Sequence, residues 1–196
     1  MPYFVGPESY LARARQRLDE HSTEGLFYAA FELRCGIQAR LEEYVDANRD
    51  SKRRTRANTW RIAGLGKQVE RMFALGNKVA EVAVEDGPTL YYTPVSRELK
   101  KMGGQLGNYL HAMHAFRGED DAWWPEMRQL LEDVFAELRR ATRGTLLGPP
   151  LLNRKTNVIT MCIMMSEEDP DLPKVRAWTP GFRGKFNIQY LDRVPE

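Results

Sequence analysis

Leu26, Ala30, Leu33, Ile37, Leu41 and Tyr44 recur every three or four residues, and no other feature of the chain restricts its folding so strongly. Steps of three and four return to one face of a helix, whereas a strand requires alternation. Ser22 or Thr23 stands just upstream as an N-cap, with Glu24 in the first turn, where the helix dipole favours a negative charge. Gly36 interrupts the stripe at a cost of roughly 1 kcal/mol relative to alanine. A residue without a Cβ at that point lets a neighbouring helix come close.

Other helices are legible on both sides. Leu11, Ala14 and Leu18 predict one from Pro7 or Glu8 to Asp19, with Arg13, Arg15, Gln16 and Arg17 on its outer face. Ile62, Leu65, Val69, Met72 and Phe73 mark a third, ending near Gly76. Val79, Val82 and Val84 either extend it or begin an irregular connection, and Asp86-Gly87-Pro88 is a firm break. Thr89 to Thr93 reads as extended or loop. Pro94 and Ser96 introduce a fourth helix with Leu99, Met102, Leu106, Leu110 and Met113 on one stripe, and Gly103, Gly104 and Gly107 predict a bend in it. Trp123-Trp124-Pro125 opens a fifth, whose inner face is Leu130, Leu131, Val134, Phe135 and Leu138. It ends in Arg139, Arg140 and Arg143, cations that suit the negative end of a helix.

Past Gly148-Pro149-Pro150 the pattern changes. Val158 to Met165 reads as a buried strand and Lys174 to Trp178 as a second, while Lys185 to Tyr190 alternates polar and apolar residues like a half-buried third. Short strands cannot stand alone in water, so this tail is expected to pack on the helices or to add to a partner. The fold class expected is mainly α: a four- to five-helix bundle over residues 1–147, with a small β-rich C-terminal extension over 148–196 packed on it.

Composition narrows the functional classes. With 42% hydrophobic and 29% charged residues the chain has ordinary globular usage, which excludes a disordered one. The longest apolar run, Val158 to Met165, contains Thr160 and is too short to span a membrane. The N-terminal residues lack the pattern of a signal peptide. Cys35 and Cys162, the only cysteines, read as buried thiols of a reducing compartment, so the expected location is the cytoplasm. The net charge of +2 conceals a basic stretch, in which Arg49, Lys52, Arg53, Arg54, Arg56 and Arg61 face Asp50 alone. Such a stretch is either a solvated loop between helices or a contact for nucleic-acid phosphates.

Candidate chemistry is sparse. His111 and His114, three apart on the fourth helix, can face one direction, yet no third ligand is fixed by spacing. No metal site and no cofactor are therefore expected. Gly64-Leu65-Gly66-Lys67 is too short for a phosphate loop and falls within a helical pattern. Trp123, Trp124 and Trp178 are either core residues or interface anchors.

Three segments, Tyr10-Leu11-Ala12-Arg13-Ala14-Arg15, Phe27-Tyr28-Ala29-Ala30-Phe31-Glu32-Leu33-Arg34 and Leu106-Gly107-Asn108-Tyr109-Leu110-His111, together resemble the HEPN superfamily over roughly residues 8–141. These are helical proteins of prokaryotic antiviral defence, abortive-infection and toxin-antitoxin systems. The resemblance implies a bundle that forms a homodimer. It also implies a metal-independent ribonuclease activity carried by an arginine and a histidine with four to six residues between them. His111 carries over, with Asn108 as the polar residue of that motif. The arginine departs from the pattern: Gly104, Gln105 and Leu106 stand where it would precede His111. Gly107, Asn108 and Tyr109 stand where it would precede His114. Arg34, on the second helix, is the guanidinium expected to reach the site through space, and Lys100 and Lys101 are the cations just upstream of His111.

The missing residue matters chemically. Attack by a 2′-hydroxyl on the adjacent phosphate needs a base, an acid for the leaving oxygen and positive charge near the phosphorane. Histidine moves protons near neutrality and arginine offers a bidentate fork, whereas lysine is only a point charge. A member that binds RNA or a cognate protein partner is thus favoured over a nuclease. The alternative is a non-catalytic structural or regulatory module, forming a homo-oligomer through its helices and the edge strand Lys185 to Tyr190. A metal-dependent enzyme built on His111 and His114 is a third reading.

Overall fold

The computed structural model describes residues 3–48, 62–73, 75–111, 116–153, 155–178 and 184–193. Helix α1, Pro7–Asp19, begins with proline in its first turn, where the missing N–H has no intrahelical partner to lose. It buries Leu11, Ala14 and Leu18. The chain reverses at His21, in the left-handed region at φ 51°. Ser22 Oγ then accepts the Gly25 N–H at 3.0 Å and caps α2, Thr23–Ala47. The expected stripe of α2 is buried, and Ala29, Gly36, Arg40 and Val45 beside it are buried as well. Such a wide arc makes α2 the helix on which the others pack.

Helix α3, Ile62–Phe73, is followed by β1, Val79–Val84, and β2, Thr89–Tyr92. These strands form an antiparallel hairpin that turns through Asp86, at φ 57°, so Val79, Val82 and Val84 neither extend α3 nor form an irregular connection. Helix α4, Arg97–Leu106, is capped by Ser96 Oγ, which accepts the Leu99 N–H at 3.0 Å. Helix α5, Trp123–Thr142, lies against α1 and α2. Arg15 fixes α1 to it with a bidentate pair to Glu132 at 2.8 and 3.1 Å.

Two glycines set these distances. A Cβ on Gly36 would stand 2.8 Å from Leu138 Cδ2 and 3.2 Å from Tyr10 Cβ, so α1, α2 and α5 meet where α2 has no side chain. A Cβ on Gly103 would stand 2.9 Å from Ile37 Cδ1 and 3.0 Å from Ile62 Cδ1, which admits α4 to α2 and α3 in the same way.

The C-terminal third contains β3, Leu151–Asn153, β4, Val158–Thr160, the short helix α6, Leu172–Arg176, and β5, Phe186–Leu191. Strands β3 and β4 pair as a separate antiparallel hairpin. Only the first three residues of the expected Val158–Met165 strand belong to β4, and Val158 is exposed; Ile163 then makes a single bridge to Leu146. Lys174 to Trp178 is not a strand. Pro173 sits in the first turn of α6, a position that favours helix.

Strand β5 pairs antiparallel with β1, giving the sheet order β2-β1-β5, with Val82 opposite both Leu90 and Ile188. The strands are therefore not confined to the C-terminal tail, because β1 and β2 lie between helices. Flanked on both edges, β1 is buried along almost its whole length and shows no alternation in its sequence. The outer edge of β2 is covered: Leu146 N–H donates to Tyr91 O at 2.9 Å and Tyr91 N–H to Thr145 Oγ1 at 3.1 Å. The architecture is mainly α with a small antiparallel sheet. Both cysteines are half-buried, not enclosed. Among the described residues no helix is long and apolar enough to cross a membrane.

Candidate functional site

Helix α4 stops at Leu106 and tightens into a 3-10 turn, Gly107–Leu110, after which His111 is extended at φ −102° and ψ 164°. Its glycines offer little resistance to that change of pitch. The helix expected to continue to Met113 is thus shorter, and His111 does not lie on a helical face. The shared face proposed for His111 and His114 falls away with it, and His114 itself is outside the described residues.

Aromatic packing holds the turn. Leu106 is buried, and the Tyr109 ring meets Trp123 at 5.5 Å. Trp123 stacks edge-on against Trp124 at 4.9 Å, and Phe27 touches both from α2. Trp123, Trp124 and Trp178 are all partly buried against the core, which places them with the core rather than with free interface anchors. Arg117 lies over the Trp123 ring at 5.2 Å and donates to Asp121 at 3.2 Å. The Trp123 N–H also donates to Asp121, at 2.9 Å, and this backbone bond together with Arg117 holds the Asp121 carboxyl below the usual aspartate range. Arg117 was not singled out from the sequence; its spacing of four from Asp121, just before an aromatic pair, was the available signal.

Arg34 approaches the turn from α2. Its Nε lies 3.8 Å from where a Cβ on Gly107 would stand, so the guanidinium rests against the backbone of the turn. Arg34 is half-buried, and Asn108 and His111 are exposed. Among the described residues none of the three side chains makes an ion pair or hydrogen bond. The structure thus brings Arg34 to the turn that carries Asn108 and leads into His111, while His111 lies on open surface instead of in a helix–helix groove. The two lysines point elsewhere: Lys100 donates to Glu70 at 2.6 Å, and Lys101 lies 3.9 Å from Glu98. The basic residues Arg49, Lys52, Arg53, Arg54, Arg56 and Arg61 are outside the described residues.

Cys35, next to Arg34 in the chain, does not supply a thiolate. Burial pushes its pKa up and Glu32 adds to this, with Arg34 only a partial offset. Among the described residues no three His, Cys, Asp or Glu side chains come together as a metal site.

A second arginine of α2 has the opposite setting. Arg40 is completely buried and donates to Tyr44 Oη at 3.0 Å, Ala141 O at 3.0 Å, Gly144 O at 3.0 Å and Glu43 at 2.9 Å. Tyr44 Oη donates in turn to Thr93 O, and Thr93 Oγ1 to Ala141 O at 2.8 Å. Burial opposes the charge on Arg40, but Tyr44 and Glu43 more than offset it and keep the guanidinium protonated. This network closes the C-terminal end of α5, whose last carbonyls have no intrahelical donors. Arg40 is four residues from both Gly36 and Tyr44, which puts it on the inner arc of α2, a signal present in the sequence.

Compared with known proteins, the chain matches no family model, no curated protein and no solved structure.

Proposed function

We propose that this chain is a HEPN-like defence or toxin-antitoxin-type protein that binds RNA, with Arg34 and the Gly107–His111 turn as the contact, and that it binds without efficient cleavage. The observation that carries this reading is the guanidinium of Arg34, which has no acidic partner among the described residues and lies against the turn bearing exposed Asn108 and His111. An unpaired guanidinium with an amide and an imidazole nearby is a donor set suited to phosphate and ribose oxygens. The exposure of His111 weighs against cleavage, since proton transfer needs a positioned imidazole in a site that excludes water. A homodimer and a cognate protein partner belong to the same proposal.

Incubation of the purified protein with total RNA, beside Arg34→Ala and His111→Ala variants, tests it. Retention of RNA by the wild type, weakened in Arg34→Ala and falling steeply with salt, is expected. Cleavage lost in His111→Ala would convert the binder into a nuclease. Absence of any retention at low salt would remove RNA from the proposal.

The non-catalytic module is favoured by a separate feature. Tyr28 and Phe31 are 58% and 46% exposed on the outer face of α2, and among the described residues β5 has an outer edge with no strand beside it. Its test is the mass in solution of the wild type beside Phe31→Glu; a monomer in both would discard that reading.

A further inference from the structure

The last turns of α5, the segment that leads from β2 into α4 and the end of β5 enclose a cleft of about 440 Å³. That volume suits one small molecule rather than a polymer groove. Besides Arg140, three arginines line it: Arg139 from α5, Arg143 at the C-terminal cap of α5 and Arg193 from just beyond β5. Among the described residues no carboxylate or other acceptor engages any of their guanidinium groups. The acids at the rim already have partners, since Glu137 pairs with Arg140 at 2.7 Å and Asp192 with Lys78 at 2.5 Å. Among the described residues, the cleft is therefore left with positive charge that no acidic group in it neutralises.

Arginines in the last turn of a helix commonly fold back onto its terminal carbonyls. Here Arg40 and Thr93 reach Ala141 O from the interior, and Arg40 also takes Gly144 O. The surface arginines are released from that duty and project into the cleft. Phe135, one turn before Arg139 on α5, supplies an apolar wall together with Pro94 and Val79. Converging guanidinium forks beside an apolar wall recognise a molecule with a phosphate at one end and a ring at the other.

We propose that this cleft binds a phosphate-bearing small molecule of nucleotide size, its phosphates on Arg139, Arg143 and Arg193 and its ring against Phe135. The site is separate from the Arg34 turn. Tyr109 of that turn packs on Trp123 at the start of α5, and Arg139 lies about 24 Å further along the helix at its standard rise.

Calorimetric titration at low salt with ADP and UDP, and with pyrophosphate and adenosine as separate arms, tests the proposal. At least one nucleotide is expected to bind more tightly than pyrophosphate, and adenosine not to bind. An Arg139→Ala/Arg143→Ala double variant, whose native side chains are exposed and unpaired and so leave the fold intact, is expected to bind about a hundredfold more weakly, at roughly tenfold for each charge-assisted pair. A Lys174→Ala/Arg176→Ala variant removes the same charge from α6 and is expected to bind like the wild type. Failure of both nucleotides and pyrophosphate to bind overturns the site, as does equal weakening in the two double variants. Pyrophosphate binding as tightly as either nucleotide overturns the role given to the apolar wall.

Discussion

Arg34 and Arg40 stand six positions apart on α2, and the helix turns them into opposite environments. Arg40 faces inward, where every direction open to its guanidinium ends on a carbonyl, a phenol or a carboxylate. Arg34 faces the Gly107 turn with its donors unengaged by any described residue. A buried, fully bonded guanidinium is part of the frame, because removing it strands the groups it satisfied. One that rests on a surface turn without a partner adds little to stability and is available to a ligand. Residue type alone does not separate the two; the partners do.

The sharpest way to break this contrast is Arg40→Ala. It leaves Gly144 O without its donor, takes one of the donors from Ala141 O and opens a cavity, so a loss of about 3–5 kcal/mol is expected in urea unfolding. A loss below about 1 kcal/mol would mean that Arg40 is not part of the frame. Tyr44→Phe removes only the hydroxyl that links Arg40 to Thr93 O, and about 1–3 kcal/mol is expected by the same measurement.

Gly36→Ala sharpens the helix side of the comparison. Alanine is the better helix former by roughly 1 kcal/mol, but its methyl meets Tyr10 Cβ at 3.2 Å, and overpacking of this kind costs typically 1–3 kcal/mol. A net thermal destabilisation of about 1 kcal/mol follows from these two magnitudes. A stabilised variant would show that α1, α2 and α5 can move apart. Arg34→Ala is expected to change stability by less than about 0.5 kcal/mol while weakening RNA retention, the reverse of the Arg40 outcome.

The smallest effect concerns pH. Burial raises the pKa of Glu43 above the ordinary glutamate value, with Arg40 opposing but not cancelling it. The folded state therefore holds its proton more tightly than the unfolded chain does. The contribution of Glu43 to stability is greatest below the unfolded pKa and declines as pH rises through the interval up to the folded one. Glu43→Gln should flatten that part of the stability–pH curve; an unchanged slope would assign the decline to other groups.

Helices α1, α2 and α5 were legible because each pairs a clear apolar period with a start signal: Pro7, Ser22 and the Trp123-Trp124-Pro125 run. The hairpin of β1 and β2 was not, since a central strand buried on both sides loses the alternation by which strands are recognised. Helix α4 was placed correctly at its start and too long at its end. Leu110 continues the stripe in the sequence, yet three glycines within five residues let the last turn tighten. Of the site, Arg34 lies against the turn that carries Asn108, while the exposure of His111 depended on where α4 stops. The cleft at the other end of α5 joins residues from four distant segments, and no local pattern announces such a meeting.

The pairing of β1 with β5 has a consequence for how the protein is made. About a hundred residues lie between Val84 and Phe186, so at ribosomal rates of about 5–20 residues per second the open side of β1 waits roughly 5–20 s for its neighbour. Through that interval the nascent chain exposes an apolar edge able to recruit other chains. Asp192 and Arg193, which follow β5 directly, reach the cleft only once that strand has docked. A polypeptide halted before residue 186 would thus carry both an unguarded sheet and a binding site with one wall missing.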